Sequence, residues 1–345
     1  MRIEELWLEL EAEAKAGNTA AWLTRFALPN PSQPLLVALE TSPSRRALLL
    51  PLPKSAIPPK REWPDCRGLE MFSVALSGDA HLGVRLRDPT CTDVFTTLAE
   101  DVAPRVTMAI NARAAAASLL GRLRRWQKFL AAGKEGLSQE QQRGLFGELL
   151  FLSTHLLSDL SASAAIGGWR APQAAHQDFQ FMSGAVEVKT TTAKQPQAVR
   201  ITSERQLDDT GIPSLFLHIV VLDEREVEPG VAGGIATLPG LVSDLRLRLA
   251  VDLQVLELFD DHLLEAGYLD SDAPRYEARH FTLRREFTFK VQSAFPRLID
   301  RDLPVGVGDA SYELSLAACG PFALPVETML KVLATPDSCQ HSKLL

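Results

Sequence analysis

The residues best suited to chemistry lie in one stretch, HQDFQFMSGAVEVKTTT, at residues 176–192. Side chains alternate faces along a strand, so Glu187 and Lys189 share one face while Val186 and Val188 take the other. In the segment before the turn, Phe179 and Phe181 point opposite to Asp178. With both apolar sets turned to the core, Asp178, Glu187 and Lys189 converge on the exposed face. Pairing Phe181 with Gly184 sets Asp178 opposite Glu187 at about 5 Å. Two carboxylates that close repel, and one tends to keep its proton. A divalent cation resolves the conflict, because Mg²⁺ takes one or two carboxylates together with waters and phosphate oxygens. Lys189 beside them can orient a metal-bound water or help deprotonate it. Gly184 could instead close a three-residue loop with a bulge and shift the pairing by one. The first register is preferred because it buries both phenylalanines and both valines.

These residues need elements to hold them. Ser138-Gln139-Glu140-Gln141 has the pattern of a capping box and predicts a helix through GLFGELLFLSTHLL. Glu148 sits there among Leu145, Phe146, Leu149, Leu150, Phe151 and Leu152, where a carboxylate is costly to bury unless paired or bound to metal. It could equally lie on the exposed edge of the helix or pair with Arg143. Residues 162–175 look like a loop, 199–202 (VRIT) like a third strand, and Ser203-Glu204-Arg205-Gln206 like the start of a short capped helix. The apolar run at 214–222 suits a buried strand. A second E-x-K, Glu13 to Lys15, falls in a helical pattern at 3–16 where its ends point apart, so the tripeptide alone means little.

The chain has 345 residues and a net charge of −7, enough length for two domains and no global field for a polyanion. Phosphate contact must come from a local patch. Arg122, Arg124, Arg125 and Lys128 around Trp126 form one, read as a solvated or domain-linking helix face with phosphate contact as the alternative. Arg275, Arg279, Arg284, Arg285, Lys290, Arg297 and Arg301 form another, within which Arg284 and Arg285 are adjacent. Residues 1–105 predict an N-terminal β-rich domain of short strands broken by proline. Residues 92–132 read as mostly helical with an interruption near Pro104; residues 106–137 predict a helical linker, residues 138–325 the domain with the chemistry, and residues 326–345 a tail. Two helices are expected over 238–266, and strands at 281–291 and 311–316. Cys66, Cys91, Cys319 and Cys339 have no metal-binding spacing and suit free thiols in a reducing cytoplasm. No apolar run approaches the ~18 residues of a membrane span.

The ordered set — helix with Glu148, strand with Asp178, strand with Glu187 and Lys189, helix with Gln206, buried strand — resembles the PD-(D/E)XK nuclease superfamily. More narrowly, GLFGELLFL, the segment from Trp169 to Pro172, Asp178-Phe179, Glu187-Val188-Lys189-Thr190 and Ser203-Glu204-Arg205-Gln206-Leu207 look like a bacterial family of PD-(D/E)XK motif proteins found among restriction and phage-defence genes. The resemblance implies an α/β (α+β overall) chain with a restriction-endonuclease-like core, a mixed sheet flanked by helices. It implies a Mg²⁺-dependent DNA endonuclease, with Mn²⁺ able to substitute. Carried over by position, Asp178, Glu187 and Glu148 would be metal ligands, Lys189 the residue that positions the water, and Gln206 a residue beside the site. Gln177 stands where the superfamily often has proline.

Two other readings compete. One is a non-catalytic nucleic-acid-binding or assembly subunit on the same fold, against which the intact Asp178, Glu187 and Lys189 argue. The other is an unrelated α/β protein in which Glu187 and Lys189 form a surface ion pair of small energetic weight. His176 offers a ring nitrogen beside Asp178, but no second histidine stands at ligand spacing, so it suits a polar residue at a strand start. No G-x-S-x-G elbow appears, and GKEG at Gly133 is not a P-loop. ATP-driven translocation would have to come from a partner ATPase or helicase, with a methyltransferase as another possible partner, and a homodimer is conceivable.

Overall fold

The computed structural model describes the chain apart from residues 1, 30–31, 67, 132–135, 171–175, 195–196, 228–235 and 336–345, and the side chains of 128–131 and 236. It divides into two compact units, Met1–Glu135 and Gly136–Leu345.

In the first unit, α1 (Ile3–Lys15) has Ile3, Leu6, Trp7 and Leu10 at helical spacing and buries all four. The proline-broken strand pattern yields β1 (Trp22–Phe26), β2 (Leu36–Thr41), β3 (Ser44–Pro51), β4 (Leu69–Leu76) and β5 (Asp79–Leu86). They form one antiparallel sheet in the order β1-β2-β3-β5-β4. The indole of Trp7 ties α1 to this sheet by donating to the Ala38 carbonyl at 3.0 Å. Two helices follow, α2 (Thr92–Thr107) and α3 (Ala112–Ala131). The interruption expected near Pro104 is not there: α2 runs through it, because burial of Val102, Ala103 and Val106 around that turn outweighs the one backbone bond that proline forgoes. The described part of 106–137, up to residue 131, belongs to the first unit. The helix α3 packs on α2 and buries Leu119, Leu123 and Trp126, an apolar stripe that has to be covered.

The second unit opens with α4 (Gln139–Phe151) at the expected capping box. Ser138 Oγ accepts from the Gln141 amide, and the Gln141 side chain accepts from the Ser138 amide. A π-helical turn, Leu152–Leu156, and α5 (Leu157–Asp159) prolong it. The region expected to be loop is largely helix α6 (Ala162–Gly168), started by Ser161 accepting from the Ala164 amide; 171–175 lie outside the described residues. The strands β6 (Phe179–Phe181), β7 (Gly184–Thr191), β8 (Ala198–Ile201), β9 (Leu215–Glu226) and β10 (Ala236–Thr237) come next. Helices α7 (Leu238–Leu249), α8 (Leu253–Ala266) and α9 (Ala273–Tyr276) lead to β11 (Arg279–Val291), β12 (Tyr312–Ser315), α10 (Leu316–Cys319) and α11 (Val326–Leu333). The α11 segment was expected to be tail. Instead it buries Met329, Leu330 and Leu333, and only 336–345 fall outside the described residues.

The main sheet has the order β10-β11-β9-β7-β6, with β7 and β9 parallel and the other described pairs antiparallel. Val186, Val188, Phe216 and Val220 meet α4, α7, α8 and α11 on one face. Ala185, Leu215, Leu217, Ile219 and Val221 meet β8, β12 and α10 on the other. Both faces of β9 are therefore buried, as its continuous apolar run requires. The third strand, β8, pairs with β12 in a separate ribbon rather than joining the main sheet. Residues 204–207 form a turn, not a helix. Ser203 Oγ accepts from the Arg205 amide, but Gln206 Oε1, which would close the capping box on the Ser203 amide, accepts instead from the amide and hydroxyl of Thr202, and Glu204 accepts from the Ala310 amide.

Candidate active site

The hairpin closes in the preferred register, Phe181 opposite Gly184 and Phe179 opposite Val186. Gly184 is needed there because a Cβ would stand 2.4 Å from the Ser214 carbonyl oxygen. One step further along that register, Asp178 faces Glu187. Since β6 begins only at Phe179, the edge of β7 beyond it would have an unpaired amide, and Asp178 Oδ2 accepts that of Val188 at 2.7 Å. The Asp178 carbonyl accepts from the Arg170 amide at 2.7 Å.

The face that holds Glu187 is not exposed, contrary to the sequence pattern. The β8–β12 ribbon and its neighbours cover it, and Glu187 is 0% exposed. Lys189 Nζ lies 2.5 Å from Glu187 Oε1, with only 17% of the lysine side chain exposed. Apart from that ion pair, both Glu187 oxygens lack a hydrogen-bond donor.

Glu148 arrives from α4. At Gly147 the helix lies so close to β7 that a Cβ would stand 2.2 Å from Thr190 Cγ2, so only glycine permits this approach. Glu148 is half-buried, and its Oε2 accepts from the Trp169 indole at 2.9 Å. Trp169 is fully buried and bridges to Phe179 in the hairpin. Arg143, the alternative partner, pairs with Glu224 at 3.0 Å instead.

Burial pushes the Glu148 carboxyl well above the usual range, and the Asp178 charge adds to this, against the pull of the Trp169 hydrogen bond. Burial, reinforced by Asp178 and opposed by Lys189, pushes Glu187 up to about 8. Burial also raises Asp178, despite Lys189 and the Val188 amide. The Lys189 ammonium is held above its ordinary value: burial lowers it, but Glu187, Asp178 and Glu148 outweigh burial. Three acids thus gather around a single ammonium in a largely buried site, an arrangement short of positive charge.

Hard oxygen donors with unsatisfied buried oxygens fit Mg²⁺ or Mn²⁺. The three carboxylates are wider apart than a closed ligand set: among the described residues, one group of three potential ligands has all donor atoms within 4.8 Å, and it is a different one.

Gln206 is not brought into this site by its side chain, which holds Thr202. Its backbone is close. Gln177 Nε2 donates to the Arg205 carbonyl at 2.9 Å and the Gln206 carbonyl at 3.4 Å, so the residue that stands in the proline position anchors this turn beside Asp178. The first basic cluster belongs to the N-terminal unit. Arg122 there is a structural residue, buried and paired with Asp101, which also accepts from the Trp126 indole. Arg124 donates to the Glu62 carbonyl, Arg125 is half-buried, and the Lys128 side chain lies outside the described residues. In the second cluster Arg279 and Arg297 are engaged with Glu224 and Asp209. Arg284, which lies 3.5 Å from Asp223, and Arg285 are exposed and line a pocket with Lys194, Gln197 and Val221. Val221 pairs with Thr191, which is two residues past Lys189 and so on its face. His176 is exposed and joins no ligand group among the described residues.

Neither the Trp169 contact nor a role for Lys194 is visible in the sequence. An indole 21 positions from its carboxylate leaves no local pattern.

A family model described as "Putative PD-(D/E)XK family member, (DUF4420)" matches residues 3–317, nearly the whole chain. No curated protein and no solved structure matches. The mixed α+β architecture is consistent with the α/β fold of that family. Among the described residues no helix is long and apolar enough to cross a membrane.

Proposed function

The chain belongs to this PD-(D/E)XK-like family, and from that membership we propose that it is a divalent-metal-dependent nuclease that hydrolyses phosphodiester bonds in DNA. The observation that carries the reading is Glu187, fully buried, its Oε1 met by the Lys189 ammonium and its Oε2 without a donor, between Asp178 and Glu148. Asp178, Glu187 and Glu148 would hold the ion. Mg²⁺ or Mn²⁺, when bound, supplies charge stabilisation at the phosphorus oxygens and makes a neighbouring water more acidic.

The protein's own residues do the rest. Val188 and Trp169 fix the Asp178 and Glu148 carboxylates by hydrogen bonds, so neither has to reorganise during reaction. Lys189 contributes a positive charge beside Glu187, available to a phosphate oxygen or to the proton balance of the attacking water. Lys194, Arg284 and Arg285 offer cationic contacts to the phosphate backbone on the same face of the sheet. We include in this reading a cytoplasmic setting, a role in restriction or phage defence, and a partner ATPase or methyltransferase, since the chain carries no nucleotide-binding loop.

The test is incubation with supercoiled plasmid in Mg²⁺ or Mn²⁺. Relaxed or linear product that EDTA abolishes is the expected result. Intact plasmid, or cutting that persists in EDTA, contradicts the reading.

A further inference from the structure

The described group whose donor atoms all lie within 4.8 Å is His155, His218 and Glu286, on the opposite face of the main sheet from Glu187. His218 interrupts the most apolar strand of the unit, LFLHIVVL, and is 0% exposed. Two irregularities bring its neighbours to it. His155 lies in the π-helical turn Leu152–Leu156 that follows α4. Glu286 follows a bulge in β11 between Leu283 and Arg285. That bulge shifts the alternation by one, so that Thr288 pairs with His218, and Glu286 and Thr288 share its face. Without it, Glu286 would point to the other side of the sheet. Such π-turns and bulges are frequent at functional sites because they re-aim single side chains.

Glu286 Oε1 lies 3.1 Å from His155 Nε2 and 3.3 Å from His218 Nε2. Ligand atoms on a tetrahedral zinc, each about 2.0–2.2 Å from the ion, stand roughly 3.3–3.5 Å apart. The second nitrogen of His218, Nδ1, is 2.9 Å from Thr288 Oγ1, the outer hydrogen bond that orients a ligating imidazole. Phe151 walls the group, its ring 4.6 Å from that of His218. His155 and Glu286 reach the surface, with 13% and 23% of their side chains exposed. That leaves an open side for a fourth ligand.

We propose that His155, His218 and Glu286 bind a borderline transition ion of the Zn²⁺ class, at a site separate from the oxygen-only carboxylate cluster. Two imidazoles and one carboxylate select such an ion over Mg²⁺, which prefers oxygen. The site links the end of α4, the helix that carries Glu148, to β9 and β11. The ion thereby clamps that helix to the sheet.

The test is zinc titration of the full chain by calorimetry, with Co²⁺ absorption as a second readout. Wild type is expected to bind one equivalent of Zn²⁺ and to give the visible bands of four-coordinate Co²⁺ with nitrogen ligands. His155→Ala and Glu286→Gln, with native circular dichroism, lose that equivalent. Thr288→Val weakens it roughly 10–100-fold, and Asp178→Asn keeps it. Wild type without the equivalent, or His155→Ala and Glu286→Gln that bind as wild type does, overturns the proposal and leaves two histidines hydrogen-bonded to one carboxylate. Neither outcome depends on DNA cleavage, so the nuclease reading stands or falls separately.

Discussion

Trp169 donates its indole N–H to Glu148 Oε2 at 2.9 Å, and this bond joins the α4 carboxylate to the hairpin that carries Asp178 and Glu187. The same ring is fully buried, so it serves both as core and as an orienting donor.

Trp169→Phe keeps most of that packing and removes the donor. A half-buried carboxylate oxygen is left unsatisfied, which costs about 1–3 kcal/mol. Because the hydrogen bond pulls the Glu148 pKa down, its loss raises that pKa further and weakens Mg²⁺ binding at neutral pH. Denaturant unfolding and a Mg²⁺ titration check both; unchanged values of each contradict the positioning role.

Lys189→Ala is expected to abolish cleavage and also to destabilise the fold. At a pH above about 8, where the wholly buried Glu187 is ionised, removing its ammonium strands a charge at a cost of about 3–5 kcal/mol, and the stability comparison is made there. Replacing Glu187 by Gln in the same chain removes the stranded charge, so the double variant should unfold at higher denaturant than Lys189→Ala alone. Equal midpoints would show that the two side chains are not coupled.

Stability without divalent cation should fall as pH rises between the ordinary carboxyl value of 4.5 and about 8. In that window the unfolded chain has released the Glu187 proton while the folded chain still holds it. Raising the pH therefore favours unfolding, by at most about 1.4 kcal/mol per pH unit. Above that window the cost is complete and the slope from this group ends. Thermal melts in EDTA across the window should show a steeper decline in wild type than in Glu187→Gln, which keeps the smaller contributions of the raised Glu148 and Asp178 carboxyls. A parallel decline in both would remove Glu187 as its source.

Gly147→Ala forces a methyl against Thr190 Cγ2, a contact of 2.2 Å before relaxation. Overpacking of this kind costs about 1–3 kcal/mol and displaces Glu148 beside it. Thr190→Ser deletes the opposing methyl and should restore much of the lost stability in the double variant. If it restores nothing, the approach of α4 to β7 is not what requires glycine.

The hairpin was legible because alternation at 178–189 admits few registers that bury both phenylalanines and both valines. The helix start at Ser138 was legible for a similar local reason, a capping pattern. Burial of Glu187 was not, since the cover comes from β8 and β12, whose residues are more than a hundred positions apart. The Arg122 cluster looked solvated because its carboxylate, Asp101, lies 21 positions away on another helix. Gln206 matched a motif, yet its amide found Thr202 four residues back, a local bond that no spacing rule forbids. The group of His155, His218 and Glu286 depends on a π-turn and a bulge, and neither leaves a sequence period.

Plasmid cleavage by wild type and Asp178→Asn in Mn²⁺, on preparations with matching circular dichroism, tests the proposed metal site directly. Asp178→Asn preserves shape and an acceptor for the Val188 amide, while removing one of the three carboxylates proposed to hold the ion. Wild type should cut, and the variant should lose at least about 100-fold from the missing transition-state charge stabilisation. Equal cutting by the two would show that Asp178 does not hold the ion.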